Sequence, residues 1–389
     1  MKFFVTVPVG LEFVAVQEIK DILSDSTIQY EDQVNISWPS NWFVTKSEKK
    51  CAKRAVRGLE SEDLVKVKPI DEISEANKLK PDVMPGLIAF ETDQPQSLKC
   101  ELKSVKVLFA EILEAQLPDC REDVEIFLKQ GMNLREDSGW ISALDFWHRW
   151  KESHTREGSA TDSLSFRVTF QKLRSYSSSG RPNFSFSSVE GSDWLGYGIG
   201  AAMPHWRVNL KHVHIVCMAY KSSIKLGIAL TNLDGTNIRN REAFGATSLQ
   251  VQEAFCLTKL SSPPPGSVLL DPFCGTGIIP IEAVQHLVGD RAVYGIAGDV
   301  LSEETERAER NSIHSGSKNL IEVLSADATR LPFRDKSVSR IVSDMPWGRR
   351  CGGFSRNVSL YPKFLDEAQR VLEADGEAFL LTLEKGLMR

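Results

Sequence analysis

Two hydrophobic regimes divide this chain. From Ser267 onward, short apolar runs alternate with stretches of helical period. Ser267-Val268-Leu269-Leu270 predicts a buried strand, and residues 278–288 space their apolar positions as a helix does. Further strands are predicted at 293–297, 321–324, 339–342 and 377–383, with helices between them. Strands alternating with helices predict a doubly wound parallel sheet, which binds ligands beyond the carboxyl ends of its strands.

Before 267 the pattern is less regular. A strand at 3–7, a turn at Pro8 and Gly10, and a helix at 11–23 open the chain. Leu11, Val14, Ala15, Ile19 and Leu23 share one face of that helix. Residues 31–85 are charged and weakly periodic, and read as an irregular insertion; its Lys49-Lys50-Cys51-Ala52-Lys53-Arg54 run reads as solvated. A strand at 86–90, a helix near 95–103 and a strand at 105–112 complete a strand–helix–strand–helix–strand order, which predicts a ferredoxin-like α+β domain over 1–118. Helices follow at 122–130 and 139–152. Trp140, Phe146, Trp147 and Trp150 recur at helical spacing in the second, so they read as core. Strands at 164–171, 208–210, 213–219 and 225–231 make a second domain over 119–232. A linker, 233–262, ends in an amphipathic helix and Pro263-Pro264-Pro265-Gly266, and the last domain occupies 263–389.

Composition bounds the classes. The chain has 389 residues and is 42% hydrophobic, enough for several cores. No run approaches the ~18 apolar residues of a membrane span, and the start is too soon broken for a signal peptide. Seven scattered cysteines without a Cys-x-x-Cys pair predict free thiols and no zinc site. His212 and His214 alternate on one strand, lack acidic or thiol companions, and read as solvent-facing. Net charge is -5, yet between 166 and 225 eight basic residues stand against Glu190 and Asp193, a local +6. Arg167, Lys172, Arg174, Arg181 and Arg207 lie in that stretch with Phe184, Phe186, Trp194, Tyr197 and Trp206 between them. A concentrated basic field is what phosphate binding requires, so these five are candidate RNA contacts.

Candidate chemistry lies in the last domain. Asp271-Pro272-Phe273-Cys274-Gly275-Thr276-Gly277 joins the first strand to its helix. Its glycines admit a ligand close to the backbone. It is neither a phosphate loop nor Gly-x-Gly-x-x-Gly, and its leading Asp would repel a pyrophosphate but suits a cationic cofactor. Asp299, 22 residues past Gly277, ends the second strand and suits ribose hydroxyls. Asp327, followed by Ala328, ends the third and can accept from an adenine amino group. Three acidic strand ends in series fit S-adenosylmethionine better than NAD. The fourth strand runs into Asp344-Met345-Pro346-Trp347. Asp344 and the Met345 carbonyl can accept hydrogens from a base amino group. Pro346 lacks an N–H and stiffens the loop, and Trp347 offers a stacking face. No Cys follows the Pro, so covalent attack on a pyrimidine ring is not expected; Cys274 and Cys351 read as bystanders.

The pair Asp271–Gly277 and Ser343-Asp344-Met345-Pro346-Trp347-Gly348 resembles the THUMP-domain RNA guanine-N2-methyltransferases, class I S-adenosylmethionine enzymes, the eukaryotic tRNA members most of all. Phe166-Arg167-Val168-Thr169, Trp206-Arg207-Val208-Asn209-Leu210 and Leu226-Gly227-Ile228-Ala229-Leu230-Thr231 are similar to THUMP segments, and Phe244-Gly245-Ala246-Thr247-Ser248-Leu249 to the linker. The resemblance implies an α/β chain: ferredoxin-like and THUMP domains, then a Rossmann-like methyltransferase domain. It implies N2-methylguanosine formation in the tRNA acceptor stem near positions six and seven, and a small zinc-binding activator subunit. A cytoplasmic location is expected, with the nucleus as a further alternative. Small nuclear RNA and an adenine amino group are the alternative targets, and an RNA-binding protein with an inactive domain is the alternative class. The family usually carries Phe or Tyr where Trp347 stands, and it continues for a helix and two strands beyond the fifth strand. A chain stopping at Arg389 is accordingly expected to be poorly soluble or inactive alone.

Overall fold

A computed structural model describes residues 1–23, 27–28, 84–92, 98, 102–130, 138–154, 165–173, 184–208, 213–231, 239–287, 292–347 and 354–382. These residues fall into two compact units, with the boundary at 235/236.

The first unit is built on one eight-stranded sheet in the order β2-β3-β1-β4-β8-β7-β5-β6. Its strands are β1 (Lys2–Thr6), β2 (Thr27–Ile28), β3 (Leu87–Glu91), β4 (Val107–Gln116), β5 (Ser165–Lys172), β6 (Arg207–Val208), β7 (Val213–Tyr220) and β8 (Ser223–Ala229). Phe3 and Phe4 point to opposite faces and neither is exposed, so both faces of β1 are covered. Phe3 stacks on Phe90 and meets the edge of Phe146, while Phe4 stacks on Phe109 across the sheet. Among the described helices are α1 (Glu12–Ile22), α2 (Arg121–Lys129), α3 (Ser138–His154) and α4 (Ser188–Ala202). The aromatic stripe of α3 is core, as its spacing predicts: Trp140, Phe146 and Trp147 are buried.

The sheet does not break at 118. β4 pairs antiparallel with β1 on one side and with β8 on the other, so residues before and after 118 share one sheet. A ten-residue strand with a partner on each edge joins the two expected domains instead of separating them. The helix α4 has no counterpart in the hydrophobic pattern. The expected helix near 95–103 and insertion 31–85 lie almost wholly outside the described residues.

The second unit is a parallel sheet in the order β11-β10-β9-β12-β13. Its strands are β9 (Val268–Asp271), β10 (Tyr294–Asp299), β11 (Ile321–Ser325), β12 (Val338–Asp344) and β13 (Leu372–Leu381). The fifth strand begins earlier than its apolar run, at a register shift between Val338 and Arg340. Its helices are α5 (Val251–Ser261), α6 (Ile278–His286), α7 (Ser302–His314) and α8 (Phe354–Val371). Alternation along β9 sends Leu269 into the core with Val251 and Ile278, and Leu270 into the core with Tyr361 and Phe364. Helices therefore cover both faces, the condition for a central parallel strand. The expected linker is part of this unit. Arg239 and Asn240 bond the buried Glu282 of α6 at 2.6 and 3.2 Å, and Arg241 bonds the Leu249 carbonyl.

Candidate active site

The switch from β9 to its neighbours β10 and β12 brings three strand ends together. At the first, the chain leaves Asp271 and turns into α6 through two glycines with positive φ, Gly275 (+50°) and Gly277 (+76°). They serve different ends. A Cβ on Gly277 would stand 2.9 Å from the Ala308 Cβ, so this glycine lets α7 pack on the turn. A Cβ on Gly275 would meet nothing within 4 Å, and the turn is open there.

Neighbouring strand ends hold the turn. Cys274 N–H donates to the Gly298 carbonyl at 2.9 Å. Gly275 N–H and Leu301 N–H each donate to one oxygen of Asp299 at 3.0 Å. Each carboxylate oxygen keeps a second lone pair for a ligand. Asn311 of α7, wholly buried, satisfies every bond its amide can make. Its oxygen accepts from the N–H groups of Glu242 and Ala243, and its nitrogen donates to the carbonyls of Ala243 and Thr276, all at 2.7–2.9 Å. The 239–250 segment and the glycine turn are thus fixed to α7 by one side chain.

Asp271 is 1% exposed. One oxygen accepts from Ser343 Oγ at 2.5 Å and from Phe273 N–H at 3.2 Å. Burial, with Asp344 and Asp299 nearby, pushes its pKa up to about 8. Cys274 beside it is buried, and its thiol is raised well above the usual range, which fits a bystander.

At the end of β12, Met345 N–H donates to the Leu381 carbonyl at 2.9 Å, extending the ladder to β13. The Pro346 carbonyl accepts from Asn357 Nδ2 at 2.5 Å and from Tyr361 Oη at 2.8 Å, both on α8. Burial raises Asp344 to about 7, with Glu253 of α5 contributing. Trp347 is 38% exposed, and its indole N–H donates to Asp344 Oδ1 at 2.8 Å.

The remaining candidates divide. Asp327 is exposed at the tip of β11; it accepts from Thr329 N–H and Oγ1 at 2.8 Å, which holds it below the usual carboxylate range. Pro272, Thr276 and Ala328 are buried, Ala328 in the α8 core, and Phe273 packs edge-on against Phe364. Their side chains are structural, which leaves their backbone atoms as candidate contacts.

The basic stretch is thinner than its count. Lys225 is 5% exposed between Glu111 and Glu114, an internal ion pair. Lys172 Nζ bonds the Phe186 carbonyl and lies over the rings of Phe184 and Phe186. Phe186 and Trp194 are core. Arg207 is exposed, and Arg167 is half-buried with its Nε donating to His214 Nδ1 at 2.7 Å. His214 Nε2 meets Thr169 Oγ1, so the ring bonds its neighbours instead of facing solvent. Arg174, Arg181 and His212 lie outside the described residues.

Residues 239–389 match the family described as UPF0020: RMKL-like, methyltransferase domain. The chain is 31% identical over 296 residues, 72% of its length and 54% of the relative's, to "tRNA (guanine(6)-N(2))-methyltransferase THUMP3" of Bos taurus. It spans about half the length of the curated relatives it matches. Among solved structures, TrmN from Thermus thermophilus matches with a TM-score of 0.59 at 22% identity, covering 100% of this chain and 90% of that one. SMU.472, solved with SAH, matches with a TM-score of 0.60 at 12% identity over 99% and 90% of the two chains. Both show the fold, an open parallel sheet of Rossmann-like type with helices on its two faces. Residues 239–389 thus match the RMKL-like methyltransferase-domain family, and over 72% of its length the chain is similar to a tRNA guanine-N2-methyltransferase.

Proposed function

We propose that this protein is an S-adenosylmethionine-dependent RNA methyltransferase that acts on the exocyclic N2 of guanine in tRNA. One observation carries the reading: the glycine turn, Asp299 and the Asp344–Trp347 loop end three adjacent strands, β9, β10 and β12, of a methyltransferase sheet. The residues fit the cofactor. Space beside Gly275 is open, and two carboxyls raised by burial leave the site short of positive charge. A sulfonium and an ammonium supply that charge. Asp271 and the turn would hold the methionine end, Asp299 the ribose and Asp327 the adenine amino group. Val300 and Leu301, exposed at the tip of β10, offer the ring an apolar face that the strand pattern does not single out.

When bound, the cofactor supplies an electrophilic methyl group. The protein must then align a weak nucleophile more than deprotonate it. Asp344 accepts one hydrogen of the base amino group as the nitrogen pyramidalises, and the Met345 carbonyl accepts the other. Pro346 leaves the loop without a competing N–H. The Pro346 carbonyl, held by Asn357 and Tyr361, fixes where that loop stands. Trp347 supplies the plane on which the extruded base stacks.

The unit before 235 carries the segments similar to THUMP, and we assign it the RNA backbone, through Arg167, Lys172, Arg174, Arg181 and Arg207. A target near positions six and seven of the acceptor stem and a small zinc-binding activator complete the proposal. Among the described residues no helix is long and apolar enough to cross a membrane. Single-turnover methyl transfer to tRNA tests the loop: Asp344→Ala should lose at least about 100-fold in rate. Its cofactor affinity should stay near wild type. An undiminished rate would place the catalytic group elsewhere.

A further inference from the structure

The bond between Trp347 and Asp344 has no place in a stacking role. Stacking needs a ring face and no indole N–H. Yet the indole Nε1–H lies 2.8 Å from Asp344 Oδ1, on the carboxylate that must accept the base amino hydrogen. The ring is 38% exposed, so the bond can be exchanged without unpacking a core.

Asp344 stands in a field that favours protonation. Asp271 lies at the end of β9, and Glu253 faces it from α5. From α8 come Tyr361, whose hydroxyl is committed to Pro346 and Thr382, and Asn357, committed to the Pro346 carbonyl. From β13, Leu381 offers its backbone to Met345. Among the described residues the indole N–H is the hydrogen-bond donor seen on Asp344. A donor to a carboxylate stabilises the ionised form, and burial opposes it.

Resting on the reading of this loop as the base-binding loop, we propose that the indole N–H of Trp347 is a positioning group for the reaction. It favours the ionised, accepting form of Asp344 in the resting protein and gives up that place to the guanine N2–H when the base enters. A protonated Asp344 would present an O–H to the base nitrogen and forfeit its acceptor role on that oxygen. A Phe or Tyr at 347 supplies the plane without this bond.

The test separates the pair from the activity. In the wild-type chain, the Trp347 indole ¹H–¹⁵N resonance, assigned by its absence from Trp347→Phe, should move with pH at a midpoint near 7. It should not titrate in Asp344→Asn. In single-turnover methyl transfer to tRNA at saturating cofactor, Trp347→Phe should move the acidic limb of the pH–rate profile upward by at least about half a unit. Its rate should fall at least about twofold at pH 7 and recover toward wild type near pH 9. Unchanged cofactor affinity would show that Trp347→Phe is folded. An indole resonance indifferent both to pH and to Asp344→Asn would overturn the proposal, as would coincident pH–rate profiles. A wild-type chain that methylates no RNA would instead fail the functional reading, while the resonance still decides the pair.

Discussion

Asp271 concentrates the electrostatics of the site, and its state depends on what is bound. Its carboxyl is raised from 3.8 to about 8 by burial, so the ligand-free fold holds it protonated at neutral pH. The folded value exceeds the unfolded one, so this group's stabilisation is complete below about pH 4 and is lost as pH rises through 8. Asp344, at about 7, acts with the same sign. The melting temperature of the wild-type chain should therefore fall more between pH 5 and 8 than that of Asp271→Asn; parallel curves would remove Asp271 from the account. A cationic cofactor reverses the preference, and Asp271 should release its proton on binding. The open turn makes a second residue-scale prediction. Gly275→Val meets a φ of +50° and fills the space left for the ligand, and Asp299→Ala loses the anchor of Gly275 N–H. Calorimetry should show S-adenosylmethionine binding abolished in both, with folding retained. At this scale the sequence shows the acids, because they stand at strand tips 271, 299, 327 and 344. It does not show that Asp299 also grips the turn or that Gly277 serves packing, since both depend on which strand and helix lie alongside. Asn311 could have been found: it follows the buried Ala308 by three positions, a polar residue in the apolar phase of its helix.

Among the elements, α4 was hidden by its composition. It holds four glycines, at 191, 196, 198 and 200, each unfavourable in a helix interior, and its apolar residues do not make a clean stripe. Its start is written plainly, however. Ser187 and Glu190 form a reciprocal capping box, with Ser187 Oγ accepting from Glu190 N–H at 3.1 Å and Glu190 accepting from Ser187 N–H at 2.6 Å. Ser-x-x-Glu is a sequence signal for a helix start, and it outweighs the glycines here. The basic stretch shows the opposite failure, a count that overstates the surface. Charge along a sequence cannot tell a solvent-facing lysine from Lys225, which pairs internally across β4 and β8. Nor can aromatic residues between basic ones be read as base-stacking groups when β5 and α4 bury Phe186 and Trp194. The electrostatic prediction therefore moves to Arg207, Arg174 and Arg181. Reversing these three to Glu should weaken tRNA binding and flatten its salt dependence, because fewer counterions are released. Cofactor affinity should not change. An unaltered salt slope would reduce the stretch to ordinary surface. The same reversal at Lys172 is a poorer probe, since that ammonium lies against two rings and its loss would disturb packing.

Over the whole molecule, alternating periods make the parallel unit legible: four of its strands match their apolar runs to within a few residues. The fifth begins earlier, because Leu372 pairs with Val338 ahead of the run that the pattern detects. The first unit is harder, since a sheet assembled from distant segments leaves no mark at its joins. β4 and β8 are more than a hundred residues apart, yet Phe109 lies opposite Ala229. Boundaries drawn from local pattern thus cut this sheet at 118, whereas the pairing carries it to 229. The division that holds falls between 235 and 236; the proposal gives the RNA backbone to the first unit and cofactor and base to the strand ends of the second, a partition of positioning from specificity. The most direct measurement is the product. The chain, given S-adenosylmethionine with a labelled methyl group and total tRNA, alone and with an activator subunit, should yield label in N2-methylguanosine after digestion to nucleosides. Label in N6-methyladenosine, or no label under either condition from a chain that binds the cofactor, would contradict the assignment.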